Sequence, residues 1–176
     1  NTPGANANAV KELVLTGLLL ACRNICSAWD FARNIEGDDD ALSDAVEKGK
    51  KQFAGIELPG RTLGIIGLGA IGVRVANAAI ALGMNVLGYD PAISVENAWQ
   101  MSSAVQHADT INDVLKNSDF ISVHVPLNQH TKDLLNKDNM PLMKDGVVLL
   151  NFARGGIINR EALHAGLDSQ KIASYV

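Results

Sequence analysis

The residues best suited to chemistry lie in one glycine-rich segment, Gly67-Leu68-Gly69-Ala70-Ile71-Gly72. An apolar run, Leu63–Ile66, precedes this segment and a helical pattern follows it. Gly67 permits a tight turn off a strand, Gly69 lets a pyrophosphate approach the backbone, and Gly72 lets the helix pack closely on the strand. Free N–H groups at the helix start would then face the phosphates. The segment predicts a dinucleotide-binding site, although the glycine pattern by itself is equally compatible with an ordinary glycine turn.

An acidic residue stands at the spacing that such a site requires. Met84–Gly88 is predicted to be the next strand, and Asp90 follows it, 18 residues after Gly72. A carboxylate at about this separation (~20 residues) binds the hydroxyls of the adenosine ribose. The alternative is that Asp90 is a solvated turn residue before Pro91.

Two further polar side chains follow later predicted strands. Arg154 lies between Val147–Leu150 and a pair of glycines. A guanidinium there can clamp a carboxylate through two hydrogen bonds and polarise a neighbouring carbonyl, although a surface salt bridge or a helix-end contact is the alternative. His124 ends the strand Phe120–His124, and a single histidine of this kind is more often a packed or hydrogen-bonded structural residue than a catalytic one.

The composition limits the classes of protein to which the chain can belong. Its 176 residues are 47% hydrophobic and 19% charged, which predicts one globular domain with a buried core. The net charge of −4 argues against a nucleic-acid partner, and the most apolar run, Leu13–Cys22, is too short to span a membrane. Cys22 and Cys26 lack further ligands at metal-binding spacing, so no metal site is predicted. Two thiols without a disulfide framework suit a reducing, cytoplasmic location.

Predicted strands and helices alternate from Leu63 to the end of the chain, which indicates an α/β fold with a parallel sheet. Right-handed crossovers then give a doubly wound parallel sheet, the Rossmann fold, with the strand order 3-2-1-4-5-6. Ligands of such sheets bind beyond the carboxyl ends of the strands. The predicted strands are Leu63–Ile66, Met84–Gly88, Ser103–Gln106, Phe120–His124, Val147–Leu150 and Ile172–Val176. The short predicted helices between them are Ile111–Lys116, Asn139–Met143 and Arg160–Leu167.

The chain before the first strand divides into two parts. A helix is predicted over Ala9–Ile25, and its scarcity of polar positions predicts that it is covered on most sides. The following segment, Ser27–Gly55, is charged and contains Trp29 and Phe31. Large aromatic side chains in such a segment often anchor a partner subunit, and packing within the chain is the alternative.

Together these residues resemble the D-2-hydroxyacid dehydrogenase family, and within it the D-3-phosphoglycerate dehydrogenases. The resemblance covers nearly the whole chain. The Asn-x-Ala-Arg-Gly-Gly pattern in register with the glycine-rich segment is far more specific than either motif alone. The matching segments are Asn1–Asn6, Leu63–Gly72, Gly88–Pro91, His124–Leu127 with Thr131, and Asn151–Gly156.

The resemblance implies a two-domain enzyme, of which this chain is the nucleotide-binding domain. Residues 56–176 would form the Rossmann core, and residues 1–55 would form a helix and an arm that makes a homodimer through residues 9–55. The substrate domain, with the family's catalytic glutamate and histidine, would lie outside the chain. We therefore expect the chain to be a piece of a longer protein and to be inactive alone.

The resemblance also assigns roles to individual residues. Arg154 would be catalytic, and NAD would be the cofactor. Asp90 would bind the ribose, and Phe152 and Ala153 would lie beside the nicotinamide. The remaining expected cofactor contacts are Gly67, Gly69, Ala70, Ile71 and Gly72 in the glycine turn, and Val125, Pro126 and Thr131 at the adenine side of the cleft.

The implied reaction is hydride transfer between NAD and C2 of a small 2-hydroxy acid, and 3-phosphoglycerate in serine biosynthesis is the expected substrate. Arg154 would hold the substrate carboxylate, and the histidine outside the chain would accept the hydroxyl proton. Two alternatives remain open from the sequence. One is a related dehydrogenase acting on glyoxylate, lactate or formate. The other is an NADH-sensing, corepressor-like binding protein.

Overall fold

A six-stranded parallel sheet forms the centre of the structure, which is a computed structural model describing residues 4–176. Asn1-Thr2-Pro3, part of the first matching segment, lie outside the described residues. The strand order is 3-2-1-4-5-6, so the predicted doubly wound topology is confirmed. The strands are β1 (Thr62–Ile66), β2 (Asn85–Tyr89), β3 (Gln106–His107), β4 (Phe120–Val123), β5 (Val147–Asn151) and β6 (Ile172–Tyr175).

Helices cover both faces of this sheet. Among residues 4–176, none of them combines the length and the apolar character needed to cross a membrane. The α-helices are α1 (Ala7–Arg23), α2 (Ile25–Arg33), α3 (Asp39–Gly49), α4 (Ala70–Ala81), α5 (Val95–Gln100), α6 (Ile111–Asn117) and α7 (Arg160–Asp168), and short 3₁₀ helices span Lys50–Phe53 and Met140–Leu142.

The strands form two hydrophobic cores because successive side chains point to opposite faces of the sheet. On β5, Val148 and Leu150 pack in the core beneath α1 and α4, whereas Val147 and Leu149 pack in the core beneath α6 and α7. All four side chains are buried. Burial on both faces explains why the sequence of this strand is a continuous apolar run rather than an alternating one.

Helix α1 packs on the sheet with one face only. Val14, Leu18 and Cys22 are buried in the core shared with α4, whereas Leu13 is 56% exposed. The described chain therefore covers this helix on one face only, and cover of its other sides by a partner stays a prediction. The helix also ends at Arg23 rather than at Ile25, because Asn24 adopts a left-handed conformation (φ 51°), which asparagine tolerates better than most residues.

The segment 25–53, which we call the arm, leaves the core and returns to it at one place. The side-chain amide of Asn24 donates to the Ala54 carbonyl (3.3 Å), and the Ile56 N–H donates to the Cys22 carbonyl (2.9 Å). A Cβ atom on Gly55 would lie 2.0 Å from the Cys22 oxygen, so the close return requires glycine. The arm thus projects from the end of α1.

Two elements on the β2 side of the sheet differ from the prediction. Helix α5 was not predicted, although the Ser94 hydroxyl caps it by accepting a hydrogen bond from the Asn97 N–H (3.2 Å). Strand β3 covers Gln106–His107 instead of Ser103–Gln106, because only these two residues pair with β2. Both elements are too short to produce a clear periodic pattern in the sequence.

Candidate functional site

The glycine turn between β1 and α4 is packed too closely for side chains at two of its glycines. A Cβ atom on Gly72 would lie 2.0 Å from the Gly67 oxygen, so α4 begins directly against the end of β1. Gly67 has a φ of +98°, and a Cβ atom there would lie 2.7 Å from the His124 oxygen at the end of β4. The turn therefore contacts both neighbouring elements through its backbone.

Gly69 differs from these two glycines because the space in front of it is open. Its backbone is extended (φ −74°, ψ −166°), and a Cβ atom would meet no described heavy atom within 4 Å. Gly69 is also the N-cap of α4 and offers no side-chain oxygen to the first helical amides, which include those of Ala70 and Ile71. Uncapped amides and the helix dipole favour an anion at this position. The open cradle therefore fits a pyrophosphate.

Asp90 connects the end of β2 to the glycine turn. One carboxylate oxygen accepts the Leu68 N–H (2.8 Å), and the other accepts the Ala92 N–H (2.9 Å). Each oxygen has a second lone pair, so the carboxylate can still accept hydrogen bonds from a diol. Asp90 therefore does stabilise the turn, which was the alternative to ligand binding, and its carboxylate can bind a ribose at the same time.

A cavity of about 480 Å³, the Asp90 cavity, lies beyond the carboxyl ends of β1 and β2. Its wall contains five residues predicted for the cofactor site: Gly67, Asp90, Val125, Pro126 and Thr131. Apolar side chains form most of the remaining wall, which suits a flat aromatic base. Tyr89, Ile111, His130 and Leu134 also line this cavity and were not predicted as site residues. Two of them carry a sequence signal for this position: Tyr89 stands beside Asp90 at a strand end, and His130 lies in the loop that leads to Thr131.

The hydroxyl group of Thr131 is engaged within its own loop. It donates to the Pro126 carbonyl and accepts the Asn128 N–H (2.8 Å). The side-chain oxygen of Asn128 in turn accepts the His130 N–H (2.8 Å). Thr131 therefore shapes the rim of the Asp90 cavity through the loop backbone.

A second cavity of about 610 Å³, the Arg154 cavity, lies beyond the ends of β4 and β5. It shares Val125 and Pro126 with the Asp90 cavity, so the two cavities adjoin along the sheet edge, and together we call them the cleft. Ile71, Phe152, Ala153 and Arg154 were predicted here, whereas Asn6, Val10 and Leu127 were not. The structure thus brings predicted residues from three separate loops to the cleft, whereas the predicted Gly69, Ala70 and Gly72 line neither cavity.

Arg154 lines this cleft and forms no ion pair with the residues that the structure describes. Its side chain is exposed, and its Nη1 donates to the Ala153 carbonyl (2.8 Å). None of the ion pairs formed within residues 4–176 includes Arg154. The surface salt bridge considered as an alternative is therefore not found in the described part of the chain, and the guanidinium has capacity for an external carboxylate.

Phe152 anchors the loop that carries Arg154. Its ring packs beside Gly17 of α1, where an added Cβ atom would lie 3.0 Å from the ring. The ring belongs to the core beneath α1 and α4. This anchorage leaves Ala153 and Arg154 at the wall of the cleft.

His124 is both a structural residue and a part of the cleft wall. Its Nε2 lies 2.8 Å from the hydroxyl oxygen of Ser122, which is fully buried. Burial lowers the pKa of His124 to about 4, so the imidazole is neutral near pH 7. The predicted hydrogen-bonded role is confirmed. The sequence places His124 at the strand edge where ligands bind, and its side chain lines the Arg154 cavity.

Comparison with known proteins identifies the family. The sequence profile described as D-isomer specific 2-hydroxyacid dehydrogenase, NAD binding domain, matches residues 18–176. The chain is 41% identical over 172 residues to the D-3-phosphoglycerate dehydrogenase of Methanocaldococcus jannaschii, covering 98% of this chain and 30% of that protein. It is 42% identical over 172 residues to the hydroxypyruvate reductase of Thermotoga maritima, covering 98% of this chain and 51% of that protein.

A solved structure gives the same result. The D-lactate dehydrogenase of Aquifex aeolicus, in complex with NAD and lactic acid, matches with a TM-score of 0.78 and 30% identity over 96% of this chain and 46% of that one. The chain therefore spans about a third to a half of the length of these proteins. Since the profile covers nearly the whole chain, the chain belongs to the D-2-hydroxyacid dehydrogenase family and comprises its NAD-binding domain.

Proposed function

We propose that the intact protein is an NAD-dependent dehydrogenase that oxidises 3-phosphoglycerate to 3-phosphohydroxypyruvate. The observation that carries this proposal is the Arg154 guanidinium, which forms no ion pair with the described residues and lines a cavity that adjoins the Asp90 cavity. The name of the M. jannaschii relative supports the choice of substrate. The T. maritima relative supports a second candidate, the reduction of hydroxypyruvate.

In this proposal the two cavities hold the two halves of NAD. The adenosine half would occupy the Asp90 cavity, with the ribose hydroxyls at Asp90 and the base beside Val125, Pro126 and Thr131. The pyrophosphate would lie at Gly69, against the first amides of α4 (Ala70 and Ile71). The nicotinamide half would occupy the Arg154 cavity beside Phe152 and Ala153. When bound, NAD supplies the hydride acceptor, while the protein sets its orientation.

Arg154 would hold the substrate carboxylate and stabilise negative charge on the adjacent carbonyl oxygen. His124 is poorly suited to be the general base, because burial lowers its pKa to about 4 and its Nε2 is bonded to Ser122. We therefore propose that the base comes from the substrate domain implied by the resemblance. A glyoxylate, lactate or formate dehydrogenase and an NADH-sensing corepressor-like protein remain the alternatives.

We further propose that residues 1–55 comprise the helix and the arm of a homodimer interface and that residues 56–176 are the Rossmann core. Helix α2 has no buried residue, and its Trp29 is 61% exposed beneath the Arg33 guanidinium (4.6 Å from the ring centroid). Phe31 packs within the arm, on Phe53 at a centroid distance of 5.2 Å. Trp29, together with the exposed Leu13 of α1, is thus the better candidate anchor for a second copy.

The remaining proposals concern location and other partners. Both cysteines are free thiols, Cys22 buried and Cys26 exposed, which supports a reducing, cytoplasmic location. The acidic balance of the chain, −4, supports a small-molecule substrate over a nucleic acid.

The first prediction concerns cofactor choice in the full-length protein. NADH should bind more tightly than NADPH, because a 2′-phosphate would meet the Asp90 carboxylate and the next residue, Pro91, offers no cation. Asp90→Ala should weaken NADH binding and reduce the difference between the Kd values of NADH and NADPH, as measured by fluorescence titration of both cofactors. Asp113→Ala is the matched control, since Asp113 also accepts a backbone N–H (Thr110, 2.9 Å) but on α6. Equal or tighter NADPH binding by the wild type would contradict the role of Asp90.

The second prediction concerns Arg154. Arg154→Ala should lower kcat/KM by roughly a hundredfold or more, because a lost electrostatic contact to the reacting group costs about 3 kcal/mol. Arg154→Lys should recover little activity, because an ammonium lacks the planar fork. Activity of the full-length protein is measured with 3-phosphoglycerate, hydroxypyruvate, glyoxylate and lactate. The Kd of NADH is measured separately and should change little. Arg160→Ala, at the exposed start of α7, is the control.

Normal kcat/KM in Arg154→Ala would leave this arginine with a structural role only. Activity of the wild type with none of these acids would instead favour the corepressor-like alternative.

The third prediction concerns assembly. The full-length protein should be a dimer by light scattering, and Trp29→Glu should shift it toward monomer, because the new carboxylate would be buried without a partner. Trp99→Glu is the matched control, since Trp99 is 85% exposed on α5, outside the arm. A monomeric wild type, or a dimer that tolerates Trp29→Glu as well as Trp99→Glu, would argue against the arm as the interface.

A further inference from the structure

Asn151, the last residue of β5, uses both atoms of its side-chain amide to contact the loop that carries Arg154. Its Oδ1 accepts the Ala153 N–H (3.1 Å), and its Nδ2 donates to the Arg154 carbonyl (3.0 Å). The same Nδ2 lies 3.3 Å from the Tyr175 hydroxyl on β6. One side chain therefore closes the turn 151–154 and connects it to the neighbouring strand.

These partners require an amide side chain. The Ala153 N–H needs an acceptor, and the Arg154 carbonyl needs a donor, so the orientation of the Asn151 amide follows from its neighbours. Aspartate would retain the acceptor but lose both donor contacts, and it would add a negative charge beside Arg154. Serine would retain a single acceptor, and alanine would lose all three contacts.

A backbone hydrogen bond and packing hold the first two residues of the turn in place. The Asn151 N–H donates to the Val176 carbonyl (2.8 Å), so the start of the turn belongs to the sheet. Phe152 is anchored in the core beside Gly17. Arg154 itself is exposed and makes its side-chain hydrogen bond only to the neighbouring Ala153 carbonyl among the described residues. The direction of its guanidinium therefore depends on the turn backbone, which the Asn151 amide closes.

We infer that Asn151 is the positioning residue for Arg154, holding the turn so that the guanidinium faces the cleft. This inference rests on the proposed role of Arg154 in binding the substrate carboxylate. Tyr175 supports the same amide from β6 through the longest of the three contacts. A displacement of about 1 Å at a residue that binds the reacting group can lower the rate about a hundredfold.

The test is a double-mutant cycle between Asn151 and Arg154 in the full-length protein. Asn151→Ala should lower kcat/KM by about ten- to a hundredfold while leaving the Kd of NADH near that of the wild type. In the Arg154→Ala background, Asn151→Ala should cause little further loss, because its effect acts through the arginine. A role limited to stability would give the same loss in both backgrounds.

A second readout does not depend on turnover. Oxalate, which carries two adjacent carboxylates, should bind the NADH complex of Asn151→Ala about tenfold more weakly than that of the wild type, as measured by fluorescence. Asn151→Ser should fall between the wild type and Asn151→Ala, and Asn151→Asp should bind oxalate most weakly because of its charge. Tyr175→Phe should change the Kd of oxalate by less than about threefold, since the Asn151 turn contacts remain.

Asn136→Ala is the matched control. Asn136 makes the same kind of contacts, accepting the Asp138 N–H (2.9 Å) and donating to the Asp133 carbonyl (3.0 Å), but it does not line either cavity of the cleft. The Asn136→Ala variant should lower the melting temperature about as much as Asn151→Ala does, without changing the Kd of oxalate. If Asn151→Ala fails to fold, Asn151→Ser serves in the same cycle.

Failure of this inference can be distinguished from failure of the proposed function. A severe loss in Arg154→Ala with normal kinetics and oxalate binding in Asn151→Ala would overturn the positioning role and leave the proposed function in place. Additive losses in the double mutant would also overturn the positioning role. Normal activity in Arg154→Ala would overturn both.

Discussion

The close contact between the end of β1 and the start of α4 is the constraint on which the rest of the site depends. A Cβ atom on Gly72 would lie 2.0 Å from the Gly67 oxygen, and a Cβ atom on Gly67 would lie 2.7 Å from the His124 oxygen, so the helix can begin here only if both positions lack side chains. The same turn lies against the His124 carbonyl, directly after β4, and presents the Leu68 N–H to Asp90 of the β2 loop. The backbone of one turn thus sets the relative positions of three loops at the sheet edge.

The glycines of the motif are therefore needed for different reasons. Gly67 and Gly72 are required by packing within the protein, whereas Gly69 faces open space. A Cβ atom at Gly69 would meet no described heavy atom within 4 Å, so packing does not explain the glycine. In the proposed function an anion at the uncapped start of α4 would explain it, because the anion would have to approach the backbone closely there.

The sheet could be predicted from the sequence because its strands are buried on both faces. Parallel strands such as β5 appear as continuous apolar runs between turn residues, and alternation with helices then determines the topology. Short elements could not be predicted in this way. Strand β3 forms because Gln106 and His107 pair with β2. Phe31 packs on Phe53 across the folded arm. Neither contact leaves a periodic pattern in the local sequence.

The candidate site was predictable at the level of which residues gather, since strand ends meet at one edge of a parallel sheet. The hydrogen bonds of the site were harder to predict from the sequence. That Asp90 holds Leu68, and that the Thr131 hydroxyl is used by its own loop, depend on contacts formed only in the folded chain. Asn151 makes contacts of both kinds. Its bond to Arg154 lies within one turn of the sequence, whereas its contact to Tyr175 joins two strands and forms only in the folded chain.

The central claim is that the open space at Gly69 is where the dinucleotide phosphates bind, and one measurement tests it most directly. NADH titration of the full-length Gly69→Ala variant should show affinity weakened by about tenfold or more, about 1.4 kcal/mol, with a melting temperature close to that of the wild type. Gly72→Ala is the comparison, since its Cβ atom would clash with the Gly67 oxygen and should lower the melting temperature itself. A Gly69→Ala protein that binds NADH as tightly as the wild type would contradict this account of the site.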